Sequence, residues 1–185
     1  MVPWRSPSRV ARRELLKYSA AGALALCAPQ VFARSLTAGE RRLSFYNLHT
    51  GEQLSRVYWA QGGYVDPVLD DINYLLRDFR TGDVKIIDPA LLDLLYALRR
   101  LLDSTKSFQV ISGYRSPQTN AMLRRRGKGV AKHSYHMRGM AIDVRLPGRR
   151  LADLRRAAVA LKRGGVGYYP DPNFVHVDTG PVRYW

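Results

Sequence analysis

The chain has 185 residues, with 30 Lys and Arg against 15 Asp and Glu, a formal net charge of +15 and one cysteine. That length suits one ordinary globular domain, and 46 % hydrophobic with 24 % charged residues excludes a disordered chain and a multi-span membrane protein. A lone cysteine excludes a disulfide framework, while the basic balance favours anionic partners: nucleic acid, an anionic membrane face or a cell-wall polymer.

The first predicted element is an export label at residues 1–33. Arg5, Arg9, Arg12, Arg13 and Lys17 are opposed only by Glu14, and an apolar stretch runs from Tyr18 to Ala28. That stretch is too short for a bilayer crossing, which needs about 20 residues. Val31-Phe32-Ala33 offers a small-x-small cleavage pattern, so the segment reads as a signal peptide cut after Ala33, with a retained anchor as the alternative. Ala11-Arg12-Arg13-Glu14-Leu15-Leu16-Lys17 resembles a twin-arginine signal, although Ala11 and Leu15 stand where such signals often carry a hydroxyl residue and Phe. This implies the twin-arginine translocase as export partner and the periplasm as destination. The domain expected at 34–185 loses Cys27 with the label, stays basic, needs no membrane span and is a monomer by default. Export and the lack of a recognised nucleic-acid-binding motif argue against nucleic acid.

Within 34–185, Arg42–Tyr46 and Arg56–Ala60 read as strands around the turn at His49-Thr50-Gly51. Leu69, Ile72, Leu75, Leu76 and Phe79 recur at helical spacing within Asp66–Arg80. Asp88-Pro89 opens a second helix to about Leu102, by N-cap and first-turn preference. Phe108–Ser112 is a strand, and Ser116-Pro117 starts a helix that ends in Arg124-Arg125-Arg126. Met140–Leu146 is a strand, Leu151–Arg163 a helix stopped by Gly164-Gly165, and Val166–Tyr168 and Phe174–Asp178 are closing strands. This order predicts a small single α+β domain with a mainly antiparallel sheet.

Two segments carry candidate chemistry. In Ser134–Asp143, His136 lies in a loop, and strand alternation puts Ala141, Asp143 and Arg145 on one face with Ile142 and Val144 on the other. In Phe174–Asp178, Val175 and Val177 supply the core face, so Phe174, His176 and Asp178 project together. His136, Asp143 and His176 are therefore a candidate three-ligand zinc set with a fourth position left open. The other reading of the same spacing has both histidines structural and Asp143 ion-paired to Arg145.

Ser134, His136, Gly139, Ala141, Asp143 and His176, together with Ser112-Gly113-Tyr114-Arg115-Ser116, form a pattern similar to the zinc D-Ala-D-Ala peptidase and hedgehog-type superfamily. From Asn47–Glu52 to Asp178-Thr179-Gly180 the chain resembles that superfamily's murein endopeptidase K branch. The resemblance implies a sheet with zinc on one face, bound by His136, Asp143 and His176. It also implies hydrolysis of peptidoglycan cross-links, D-Ala–diaminopimelate or diaminopimelate–diaminopimelate; a zinc-retaining peptidoglycan-binding module is the alternative. Arg115 is then expected to polarise the scissile carbonyl. Ser134 is expected to hold the loop or touch substrate, and Lys128, Lys132, Arg138 and Arg124–Arg126 to form a basic rim. Many relatives carry an acidic base three residues before the last histidine, where this chain has Asn173. Asp178, or else His133, is the expected base or ligand-orienting residue. His49 is expected to be a turn residue.

Overall fold

Eight strands form one sheet in the order β3-β2-β1-β4-β5-β7-β6-β8. They are β1 (Arg41–Asn47), β2 (Gln53–Ala60), β3 (Gly63–Tyr64), β4 (Phe108–Ser112), β5 (Ala141–Arg145), β6 (Gly165–Tyr169), β7 (Phe174–Asp178) and β8 (Arg183–Tyr184). This computed structural model describes Met1, residues 39–127 and residues 129–185. Residues 2–33 of the predicted export label, and Lys128, lie outside the described residues.

The expected α+β domain is present, with four α-helices and a mixed sheet among the described residues. The β1–β4 and β6–β8 pairings are parallel and the other five antiparallel. Parallel neighbours need a long crossover, and the β1-to-β4 connection supplies one through β2, β3 and two helices.

Those helices are α1 (Asp66–Leu75) and α2 (Pro89–Leu101), followed by α3 (Pro117–Arg126) and α4 (Leu151–Leu161). The Asp88 carboxylate caps α2 by accepting from Ala90 N, and Ser116 Oγ caps α3 by accepting from Thr119 N. α1 stops at Leu75, short of the predicted Arg80, because Asp78 turns the chain by accepting from Arg80 N and Ser116 N. Lys162, at φ +51, ends α4, so Gly165 is free to open β6. Among the described residues no helix is long and apolar enough to cross a membrane.

One face of the sheet carries the core. Phe45, Phe108, Val110, Ile142, Val144, Val175 and Val177 are all 1 % exposed or less and cluster with Leu91, Leu95 and Leu98 of α2 and Leu154 of α4. Each fully buried aliphatic or aromatic side chain contributes about 1.5–3 kcal/mol. This apolar layer fixes strand register, and register in turn puts Asp143 and His176 on the opposite face.

Candidate metal centre

Asp143 of β5 and His176 of β7 are direct cross-strand partners. His136 reaches them from a 3-10 turn, Tyr135–Arg138, capped by Ser134, whose Oγ accepts from His136 N. Gly139 ends the turn at φ +69, and a Cβ there would lie 2.2 Å from Ile86 O, so no larger residue fits. The three side chains are buried, and His136 Nε2, Asp143 Oδ1 and His176 Nδ1 form a group that could hold a metal ion. The edges of that triangle are 3.2 Å between His136 and Asp143, 3.2 Å between His136 and His176, and 2.8 Å between His176 and Asp143.

Neighbouring acceptors set both rings. His136 Nδ1 lies 2.7 Å from Gly113 O, which can only accept, so Nδ1 donates and Nε2 turns a lone pair inward. Gly113 itself is pressed against α1's end: a Cβ there would collide with Leu76 O, the acceptor of Tyr114 N. His176 Nε2 donates to Asp178 Oδ2 at 2.9 Å, which directs Nδ1 at the same point. Burial pushes His136 down as a base. Burial also opposes charge on His176, but hydrogen bonds to Asp143 and Asp178 outweigh it and raise the ring to about 9. Asp143 is held well below the usual carboxylate range, since the two rings overcome the burial that would raise it. Two carboxylates thus draw positive charge to His176 Nδ1, a place that a proton or a metal ion can fill.

The centre lies in a cavity of about 640 Å³, whose lining includes Arg115, His133, Ser134 and Tyr135 and an aromatic wall of Tyr169, Phe174 and Trp185. Arg115 is anchored through its backbone by His136 O at 3.2 Å, and its neighbours by Leu76 O and Asp78 Oδ2. Its guanidinium is loosely held: Asn120 and Ser112 stand at 3.5 Å, Asp143 Oδ2 at 3.6 Å, and Nε is buried with no partner. Such a group keeps donors available for an incoming oxygen.

The structure separates the two base candidates. His133 lines the cavity and is exposed. Asp178 is behind the His176 ring, 0 % exposed, and accepts from His176, Gly165 N, Gly180 N and Arg183. Those donors hold it well below the usual carboxylate range against its burial. Full burial and filled acceptor sites leave it no route to a proton on substrate or water in the cavity. Of the two parts expected of Asp178, this geometry agrees with orienting His176 rather than with acting as base.

Asn173 belongs to the β6–β7 turn, at φ +56, and lines a separate cavity of about 240 Å³ with Gln109 and Arg145. Arg145 donates to Gln109 Oε1 at 2.6 Å, so the alternative Arg145–Asp143 pair is not formed. Arg124–Arg126, Lys132 and Arg138 are exposed, and none lines the main cavity. His49 sits in its turn, bonded to Ile111 O and stacked on Phe79. Sequence reasoning missed Arg183, Tyr135, Tyr169 and Trp185; β8 is too short to show periodicity, and only the Tyr-rich β6 gave a cue.

A family model described as "Peptidoglycan L,D-endopeptidase MepK" matches residues 35–185. Relatives named peptidoglycan L,D-endopeptidase MepK from Escherichia coli (strain K12) and Shigella flexneri are each 47 % identical over 176 residues, 94 % of this chain and 96 % of theirs. A probable peptidoglycan L,D-endopeptidase MepK from Haemophilus influenzae is 46 % identical over 156 residues, 84 % of either chain. With that breadth of match, the chain belongs to the peptidoglycan L,D-endopeptidase MepK family.

Proposed function

We propose that this chain is a zinc-dependent endopeptidase that hydrolyses peptide cross-links of peptidoglycan in the periplasm. The observation that carries the reading is the His136–Asp143–His176 triangle beside an under-bonded Arg115 in an open cavity. Zinc bonds of about 2.0–2.2 Å to nitrogen and oxygen in a tetrahedron require ligand separations of about 3.3–3.6 Å; the two 3.2 Å edges come close to this, and the 2.8 Å Asp143–His176 edge would have to open slightly. Two imidazoles and one carboxylate, with the fourth direction toward the cavity, match a catalytic rather than a closed structural site.

When bound, zinc supplies a Lewis acid that polarises a carbonyl and lowers the pKa of an attacking water. The chain's own residues do the rest. Arg115 directs its free donors at the carbonyl oxygen as negative charge develops there. His133 takes the water's proton on a ring nitrogen and returns it to the leaving amine. Asp178 keeps His176 in the tautomer that presents Nδ1. Tyr169, Phe174 and Trp185 give the substrate an apolar wall.

The relatives' name specifies an L,D bond. A diaminopimelate–diaminopimelate cross-link joins a carbonyl on an L centre to an amine on a D centre, whereas D-Ala–diaminopimelate starts from a D centre, so the name supports the former. The basic charge of the chain suits a wall rich in carboxylates. Residues 1–33 serve as a twin-arginine signal on this reading; processed protein outside the cytoplasm of a strain lacking that translocase would overturn the routing.

Purified protein incubated with cross-linked muropeptides tests the reaction. Zinc-restored, chelator-sensitive loss of diaminopimelate-linked dimers is expected. Zinc-loaded protein that co-sediments with sacculi and leaves every dimer intact would replace the enzyme with the binding module.

A further inference from the structure

Strand β8 was not among the elements expected from sequence, and it brings Arg183 to Asp178 at the border of the cavity. It pairs in parallel with β6, Gly165 opposite Arg183 and Val166 opposite Tyr184, and the pairing continues through Trp185 N to Val166 O and Tyr168 N to Trp185 O. Arg183 grips Asp178 with both arms, Nη2 to Oδ2 at 2.7 Å and Nη1 to Oδ1 at 3.1 Å. Asp178 Oδ2 in turn receives His176 Nε2, so a continuous chain of charge-assisted bonds runs from β8 to His176.

Three glycines vacate the space this arrangement needs. A Cβ on Gly165 would lie 2.5 Å from both Asp178 Oδ2 and Arg183 Nη1. One on Gly167 would lie 2.7 Å from the Trp185 ring, and one on Gly180 would lie 2.5 Å from the Tyr135 ring. The guanidinium lies near both rings, 5.0 Å from the centre of Tyr135 and 5.1 Å from that of Trp185. The Trp185 ring stands 5.3 Å from His176 and donates Nε1–H to Tyr169 Oη at 2.7 Å.

We propose that Arg183 is a positioning residue for the metal centre, acting through Asp178 to hold His176 with Nδ1 directed at Asp143 and His136. Its side chain also borders the cavity, but both Nη atoms are engaged by the Asp178 carboxylate and neither contacts His136, Asp143 or His176. Its planar fork fixes both oxygens of Asp178 and leaves Oδ2 oriented for one further donor, the His176 Nε2–H. Without the fork, Oδ1 keeps the Gly165 and Gly180 amides but Oδ2 is held by His176 alone, so carboxylate and ring can shift together. The inference rests on the reading of this group as a zinc site, but not on which bond is cut.

Zinc affinity, measured by chelator competition on the full mature protein, and the visible spectrum of its cobalt-substituted form test this. Arg183→Met is expected to weaken zinc about 10–100-fold, the usual effect of losing an outer-shell partner, and to shift the cobalt bands. Arg183→Lys keeps the charge without the fork, so its affinity is expected to fall between the two. Folded Arg183→Met with wild-type affinity and an unchanged cobalt spectrum would overturn the proposal. If Arg183→Met does not fold, the same result in Arg183→Lys overturns it. Wild-type protein that binds no zinc sinks both this role and the metallopeptidase reading, whereas intact muropeptide dimers beside an Arg183-dependent zinc affinity sink only the reaction.

Discussion

Asp143 and His176 face each other across adjacent antiparallel strands, with His176 Nδ1 2.8 Å from Asp143 Oδ1. The pairing is a consequence of the core: Ile142 pairs with Val177 and Val144 with Val175 on the buried face. A one-residue slip of either strand would turn its polar side chain inward and its valines outward. The apolar residues thus guarantee the alignment of the polar ones.

Arg115→Ala is expected to retain zinc and to lower kcat about 10²–10³-fold, the range for removing an oxyanion donor. Arg115→Lys should restore little, because a single ammonium does not reproduce the fork that reaches both Asp143 and the cavity. Steady-state cleavage of a defined cross-linked dimer, with metal content measured on the same samples, checks both variants.

His133→Ala is expected to keep its metal and lose turnover about 10²–10⁴-fold. Asp178→Asn should behave differently: the buried amide accepts less well from Arg183 and His176, zinc binding weakens and the fold loses about 1–3 kcal/mol. Zinc titration and denaturant unfolding separate the two. An Asp178→Asn protein with normal stability and normal zinc but no turnover would return the base to Asp178.

Asn173→Glu is expected to leave turnover unchanged, although it restores the acidic residue of many relatives. The side chain lies in the cavity with Gln109 and Arg145, not with the metal group. A clear rise in kcat at constant zinc content would contradict this placement.

Asp93 gives a pH prediction away from the metal. It accepts from Arg41 at 2.6 Å, Tyr58 at 2.8 Å and Tyr64 at 2.9 Å, tying α2 to β1, β2 and β3. Burial raises its pKa, but these three bonds together with Arg41's charge lower it below the ordinary value. A carboxylate with a depressed folded pKa contributes stability above its unfolded pKa, about 3.9, and loses it as pH falls through the folded value. Asp93→Asn should therefore cost about 1–3 kcal/mol at pH 7, with the gap to wild type narrowing below about pH 4. Urea unfolding at pH 7 and pH 3 measures it.

Much of this architecture was legible because local signals agreed. Phe108–Ser112 and Phe174–Asp178 coincide with β4 and β7, since alternation and flanking turn residues bound both. α1 was overextended because Phe79 continues the helical spacing, whereas in the fold it stacks on His49 at 3.8 Å between ring centres. β3 and β8 have two residues each, too few to carry a period. Alternation correctly put His176 and Asp178 on one face, but it could not tell on which side of the imidazole the carboxylate lies. That depends on Arg183, Gly165 and Gly180, brought together by strand order. Nor could spacing along the chain show that Asn173, at the β6–β7 turn, lies with Gln109 and Arg145.

The central claim is that His136, Asp143 and His176 hold the metal on which cleavage depends. Metal content of purified wild type, His136→Ala, Asp143→Ala and His176→Ala, measured by inductively coupled plasma mass spectrometry with circular dichroism to verify folding, tests it most directly. One zinc per wild-type chain is predicted, with stoichiometric zinc and cross-link cleavage lost in each folded variant. Full zinc occupancy in any one of the three would contradict the account.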